Sequence, residues 1–123
     1  MELVMSTLPK TWILDLDGTL VKHNGYKMDG EDSLLKGARE FLSQIMPEDM
    51  VIIVTSREKR YQEMTEQFLQ RQGIRYDHII YEAPYGERIL LNDDKPSGLQ
   101  MAYAVHAVRD EVERIQIQRD ESL

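Results

Sequence analysis

The chain has no cysteine among its 123 residues, which excludes disulfides, thiolate metal sites and a cysteine nucleophile. It has no long apolar run, so no segment is suited to spanning a bilayer. The first ten residues, Met1 to Lys10, lack a basic start and a sustained apolar stretch. They match a signal peptide poorly, and a reducing, cytoplasmic setting is the expectation. Positive charge is scarce: 15 Lys and Arg against 22 Asp and Glu leave a formal net charge of −7. Non-specific nucleic-acid binding rests on Lys and Arg neutralising phosphates, so this balance disfavours nucleic acid as a partner. It gives no hint of an anionic membrane surface either. Repeats, low-complexity tracts and Pro/Gly/Ser-rich linkers are absent as well. Residues 1–123 therefore read as a single domain with its core over about 11–110.

What is present is a set of short apolar runs, each ending on a polar residue. Trp12-Ile13-Leu14 leads into Asp15-Leu16-Asp17-Gly18-Thr19, and Met50 to Val54 ends on Thr55. Ile79-Ile80-Tyr81 ends on Glu82, and Ile89-Leu90-Leu91 on Asn92-Asp93-Asp94. These runs predict strands over 12–16, 50–54, about 76–81 and 88–92. Apolar residues at helical spacing predict a helix over 33–46, with Asp32 or Ser33 as its cap and Pro47 as its stop. A second helix is expected over 57–72, ending at Gly73, and a third after Ser97. Residues 21–32 are polar and turn-rich, a loop or small flap. The order β-α-β-α-β-β-α predicts an α/β fold, a sandwich with a mainly parallel sheet. Ligands in such sheets bind beyond the carboxyl ends of the strands, where Asp15, Thr55 and Asp93 fall. The C-terminal part reads two ways. Met101, Val105, Val108, Val112 and Ile115 are spaced for one long helix with an apolar seam, which would suit a homo-oligomer. The alternative is a helix ending near Asp110 and an edge strand over Glu113 to Gln118.

Asp15-x-Asp17-Gly18-Thr19 first invites a calcium-loop reading. An EF-hand starting at Asp15 needs Gly at its sixth position and Glu at its twelfth. The chain has Leu20 and Tyr26 there, and a strand precedes the loop where a helix should, so that reading fails. Two carboxylates at i and i+2 after an apolar strand suit instead a nucleophile beside an acid/base.

Asp15-Leu16-Asp17-Gly18-Thr19 resembles the first motif of the haloacid dehalogenase-like (HAD) hydrolases, most of which are magnesium-dependent phosphatases. Val54-Thr55-Ser56-Arg57 is similar to the second motif, and Asn92-Asp93-Asp94 to the fourth, acidic one. The resemblance implies a Rossmann-like three-layer sandwich and a role for each matching residue. Asp15 would attack phosphorus and form an aspartyl-phosphate, splitting one hard displacement in two. Asp17 would protonate the leaving oxygen and then activate water. Mg²⁺, a hard cation that takes oxygen ligands, would be held by Asp15, the backbone carbonyl of Asp17, and Asp93, with Asp94 as ligand or support. Thr55 would bond a phosphoryl oxygen, helped by the backbone N–H groups of Leu16 and Ser56.

The third motif departs from the family's layout, which places a lysine before the acidic strand end. No lysine lies between residues 61 and 92. The candidates are Lys95, just past the aspartates, and Arg88, at the start of the expected strand and so at the far end of the sheet. Lys95 is favoured, with Pro96 fixing the direction of its loop. Arg57 is either a substrate-gripping residue or a surface helix residue. Lys22 and His23 are placed to meet a leaving group, while His78 and His106 lack metal-ligand spacing and read as structural.

Family members usually carry a cap domain after the first motif or between the second and third. From Asp15 to Thr55 is 40 residues and from Thr55 to Asp93 is 38, intervals already filled by a helix, strands and turns. The chain thus resembles the capless members, whose site is open or covered by a neighbouring subunit. The expectation is a Mg²⁺-dependent phosphomonoesterase acting on a small phosphate ester such as a sugar phosphate. The alternatives are a HAD-like domain that binds a phosphorylated ligand or protein without turnover and, third, a polynucleotide end phosphatase.

Overall fold

The simplest element to explain is the middle strand. Four of the five residues of Met50–Val54 are β-branched, stiff at χ1 and suited to a pleated chain. Val51 and Ile53 are buried while Ile52 and Val54 are half-buried, so one face of the strand carries the core. The computed structural model describes residues 1–112 and 114–123. In chain order its elements are β1 (Glu2–Met5), β2 (Thr11–Leu14), α1 (Gly25–Met28), α2 (Ala38–Leu42), β3 (Met50–Val54), α3 (Gln62–Arg71), β4 (His78–Ile80) and β5 (Gln116–Arg119). A 3₁₀ turn, Lys59–Tyr61, leads into α3.

The fold is α/β with parallel sheets. β3 lies between β2 and β4, parallel to both. Parallel neighbours require crossover connections, and α2 and α3 lie in them. The register places Leu14 opposite Ile53 and Ile53 opposite Ile79. Asp15 and Thr55 therefore leave the sheet at the same end. Leu14, Val51 and Ile53 join Leu16, Leu20 and Val21 of the loop after β2, Ala38 of α2 and Phe68 and Leu69 of α3 in one apolar cluster. Each such side chain removed from water contributes roughly 1.5–3 kcal/mol. On the opposite face of the sheet Ile13 and Ile80 stay about half exposed.

The first helix is shorter than its apolar spacing predicts. Gly37 has φ 90°, and Leu35 N–H donates to Leu20 C=O at 2.9 Å while Lys22 N–H donates to Ser33 C=O at 3.0 Å. These bonds pull 33–35 onto the loop after β2, so only Ala38–Leu42 winds into α2. α3 ends as expected, with Gly73 at φ 68°, the left-handed geometry of a helix-terminating residue. Glu66 of α3 accepts from the hydroxyls of Tyr76 (3.3 Å) and Tyr81 (3.0 Å), fastening the helix to the end of β4. Burial, and then the Glu66 carboxylate, push the Tyr81 hydroxyl above the usual phenol range.

Past β4 the expected strand over 88–92 and the expected helices do not form, while the alternative C-terminal strand does in part. Glu82 takes a left-handed conformation, φ 60°, and Pro84 lacks a backbone donor; together they turn the chain off the sheet. Residues 88–92 carry no strand, and Ile89 and Leu91 are fully exposed. Among the described residues no helix follows Ser97, and the long C-terminal helix with its oligomerising seam does not form. The reason lies at Asp110, φ 63°: its N–H donates to Gly18 C=O at 2.9 Å and its side chain accepts from His23 N–H at 2.7 Å. Those bonds hold 108–111 in a tight turn that a helix could not accommodate. The C-terminus instead supplies β5, which pairs in parallel with β1. Gln44 ties β5 to the end of α2, donating to Ile115 C=O (2.6 Å) and accepting from Ile117 N–H (2.8 Å). Glu113, the first residue of the expected edge strand, lies outside the described residues. Among the described residues no helix is long and apolar enough to cross a membrane.

At the entry to β2 and β3 the buried Asp49 accepts three hydrogen bonds, from Lys10 N–H (3.0 Å), Trp12 Nε1–H (2.9 Å) and Met46 N–H (3.2 Å). Burial raises its pKa, but these donors and the Lys10 charge outweigh burial and hold it below the usual 3.8. A folded-state value below the unfolded one adds stability that is present above pH 3.8 and lost as pH falls through the folded value. Urea unfolding should therefore show Asp49→Ala destabilised by about 1–3 kcal/mol at pH 7, since it orphans buried donors. The gap to wild type should narrow on acidification to pH 2–3.

Candidate active site

The loop after β2 is wound around one carbonyl. Leu16 C=O accepts from the N–H groups of Thr19, Leu20 and Val21 at 3.2, 2.9 and 3.1 Å, and Gly18 N–H donates to Val21 C=O at 2.7 Å. Gly18 sits at φ 83°, and a Cβ there would lie 3.2 Å from Cγ of Arg109. Only glycine takes that conformation without cost, so the turn depends on it. The turn presents Asp15 and Asp17 to a cavity of about 530 Å³ at the carboxyl ends of the parallel strands.

Asp15 is partly open to solvent and held on both oxygens. Thr19 Oγ1 donates to its Oδ2 at 3.0 Å, and Arg88 donates to its Oδ1 at 2.9 Å. Thr55, at the end of β3, is buried, yet its side chain lines the same cavity. Its Oγ1 accepts the Arg57 N–H at 3.1 Å, which leaves the hydroxyl proton free to donate. Ser56 lines the cavity beside it.

Asp17 faces a different partner. Arg57 Nε and Nη2 donate to its two oxygens at 3.0 and 2.9 Å, a two-pronged ion pair. The same guanidinium makes a second fork with both oxygens of Asp32, with Nη1 to Oδ2 at 2.9 Å, and Nη1 also donates to Thr65 Oγ1 at 2.8 Å. All five of its N–H donors are thus taken, and its face stacks on Tyr26, 4.0 Å from the ring centre. Burial works against the Arg57 charge, but the two carboxylates outweigh it and raise its pKa further. The expectation that Arg57 grips substrate, or else faces solvent, gives way: it is buried and has no donor left to offer. Residues 21–32, expected as a loop or small flap, hold the short α1, and Asp32, expected as a helix cap, fastens that segment to Arg57.

The structure places Arg88, and not Lys95, beside Asp15. Lys95 lies in an exposed turn, its N–H bonded to Leu99 C=O at 3.0 Å, and does not line the cavity. Arg88 reaches Asp15 because 88–92 is not a strand, so its position at the start of that segment does not carry it to the far end of the sheet. Asp93 and Asp94 stay in the same exposed loop, and Asp94 Oδ1 accepts from Met101 N–H at 3.1 Å. Among the described residues no three acidic or histidine side chains gather closely enough to share a metal ion. Of the expected set, Asp15 and Asp17 line one cavity and Asp93 and Asp94 do not join them; Arg57 engages the Asp17 side chain, not the backbone carbonyl expected as the ligand. Of the remaining candidates, His23 lines the cavity, Lys22 pairs with Asp29 at 2.9 Å, and His78 and His106 are exposed outside it.

Searches against protein-family models, curated proteins and solved structures find no match to this chain. The geometry therefore carries the argument. Four contributors escape sequence reasoning: Asp32, Thr65 and Tyr26 around Arg57, and Arg109 on the cavity wall. Local spacing holds no signal for them, because an arginine's direction of burial is settled by partners distant in sequence.

Arg57→Met leaves Asp17 and Asp32 facing each other without a counter-charge. Loss of one partner from a buried pair costs about 3–5 kcal/mol, so urea unfolding should show a loss of that size. Arg57→Met combined with Asp32→Leu should recover part of it.

Proposed function

We propose that the chain is a phosphomonoester hydrolase in which Asp15 is the nucleophile, on a Rossmann-like core of the HAD type. The observation that carries this reading is the paired setting of Asp15. It stands at the carboxyl end of a parallel strand, in a cavity, with an arginine and a hydroxyl on its carboxylate and Thr55 on the next strand. Parallel α/β sheets bind ligands at that edge. An arginine there neutralises phosphoryl charge as it develops, in a site built mainly for positioning and electrostatics.

In this reading the ester's phosphoryl oxygens are bound by Arg88 and by the Thr55 hydroxyl. An Asp15 oxygen attacks phosphorus in line, the bond to the ester oxygen breaks, and the leaving oxygen takes a proton. Asp17 takes up a proton from solvent once its fork with Arg57 opens, passes it to the leaving oxygen, and then draws one from the water that releases phosphate from Asp15. Each partner suits its step. Arg88 is about as exposed as Asp15, 39% against 41% of the side chain, so it can shift from carboxylate to phosphate. A small phosphorylated metabolite such as a sugar phosphate suits a cavity of this volume.

A second reading, a domain that binds a phosphorylated ligand without turnover, is favoured by one observation. Both oxygens of Asp17 accept from Arg57, and a carboxyl must give up one of those bonds to carry a proton. Phosphate release from a panel of phosphomonoesters separates the two. Hydrolysis by wild type and a loss of at least about 10³-fold in Asp15→Asn is the expected result. Ligand binding with no release by wild type would establish the second reading. Repeating the assay in EDTA tests the donor set: a magnesium requirement would mean that Asp93 and Asp94 close on Asp15 during turnover.

The same assay discriminates between the cations. Arg88→Ala should lower kcat by about 10²–10³-fold, whereas Lys95→Ala should stay within about twofold of wild type. The reverse order would restore Lys95 to the role that the resemblance favours.

A further inference from the structure

The cavity is more cationic than its phosphate site requires. Four permanent cations line it: Lys27, Arg57, Arg88 and Arg109. Arg57 is committed to Asp17 and Asp32, and Arg88 to Asp15. The remaining lining carboxylate, Glu58, pairs outward with Arg60 at 3.0 Å. Lys27 and Arg109 pair with no carboxylate among the described residues. Two uncompensated positive charges thus face one cavity in a chain whose net charge is −7.

Their placement is built into the fold. Arg109 precedes the Asp110 turn, which is clipped to the nucleophile loop by the bonds to Gly18 and His23. Its stem runs against Gly18, where a Cβ would meet Cγ at 3.2 Å. Lys27 is on α1 of the flap, with its ammonium 5.6 Å from the centre of the Tyr26 ring that covers Arg57. His23 lines the same cavity and keeps a buried Nδ1 with no hydrogen-bond partner among the described residues. A buried polar atom left unpaired is costly, and a ligand that supplies its partner removes that cost. Lysine and arginine that are kept in a partly enclosed site and left unpaired raise the local concentration of anions there.

We infer that the ligand carries a second anionic group besides the phosphate at Asp15, a carboxylate or a second phosphate, held by Lys27 and Arg109. This rests on the phosphate-site reading above and names the class of ester within it. Arginine grips either anion bidentately, so the shared chemistry is a pair of oxyanion oxygens, on a planar carboxylate or a tetrahedral phosphate, and the test separates its two sources.

Calorimetric binding to Asp15→Asn provides that test, because it needs no turnover. In one arm 6-phosphogluconate is compared with glucose 6-phosphate, adding a carboxylate. In the other, fructose 1,6-bisphosphate is compared with fructose 6-phosphate, adding a phosphate. The expected result is at least about tenfold tighter binding of the doubly anionic member in one arm, which also identifies the source. That ratio should collapse towards one in Arg109→Ala and again in Lys27→Ala. Circular dichroism checks that each variant is folded, and the exposed Lys27 substitution serves if Arg109→Ala is not. Equal affinity within both pairs, or no binding of any of the four, overturns the inference. A preference for the second anion with no phosphate released by wild type would retain the inference and reject hydrolysis.

Discussion

A guanidinium taken out of water must have every donor satisfied, and the core of this site is arranged to satisfy one. Arg57 leaves β3 two residues past Thr55 and meets acceptors from three other parts of the chain: Asp17 after β2, Asp32 at the end of the flap, and Thr65 in α3. Tyr26 closes its remaining face and packs edge-on against Tyr61 with ring centres 4.8 Å apart. The alternative, an isolated buried charge, costs far more than any single contact in a small domain supplies. The flap therefore cannot drift from the sheet without exposing or stranding charge. A segment of twelve mostly polar residues, with only a four-residue helix of its own, owes its place to that requirement together with the burial of Val21 and Tyr26.

The same constraint distributes the chemistry. Asp15 and Asp17 are two residues apart and could have been equivalent, but one faces a flexible, half-exposed arginine and the other a buried, saturated one. Asp15 is left able to exchange its partner for a ligand, while Asp17 is tied to the scaffold. Because Asp17 and Asp32 share one guanidinium, the position of Asp17 and the seating of the flap are not independent.

The sequence was legible where a local pattern decided the structure. β3, the strand ends at Asp15 and Thr55, and the stop of α3 at Gly73 follow from β-branched runs, polar ends and a left-handed glycine. It misled where tertiary hydrogen bonds overrode spacing. Val105, Val108 and Val112 recur at helical intervals, yet the Asp110 turn is held by Gly18 and His23, far away in sequence. Placing Arg88 at the wrong end of a strand followed from assuming that strand. Once 88–92 leaves the sheet, Arg88 reaches Asp15 and Lys95 does not. The direction of Arg57 could not be read at all, since its two carboxylates lie 40 and 25 residues away.

An overall charge of −7 and a cavity that attracts anions are compatible once distance is counted. At physiological salt the Debye length is about 8 Å, so exposed charges beyond it are largely screened. Much of the acidic excess lies outside the cavity, at residues such as Glu40, Glu48, Glu63 and Glu121, all exposed. A small anion inside the cavity would meet the lining first, where Lys27 and Arg109 have no carboxylate partner among the described residues. A polynucleotide, by contrast, follows its backbone over many charges and needs cations along the whole path. It would leave the cavity for an acidic surface within one or two phosphates. The net charge thus argues against a long polyanion without arguing against a short one, and the position of the two unpaired cations, not the total, sets what the site can hold.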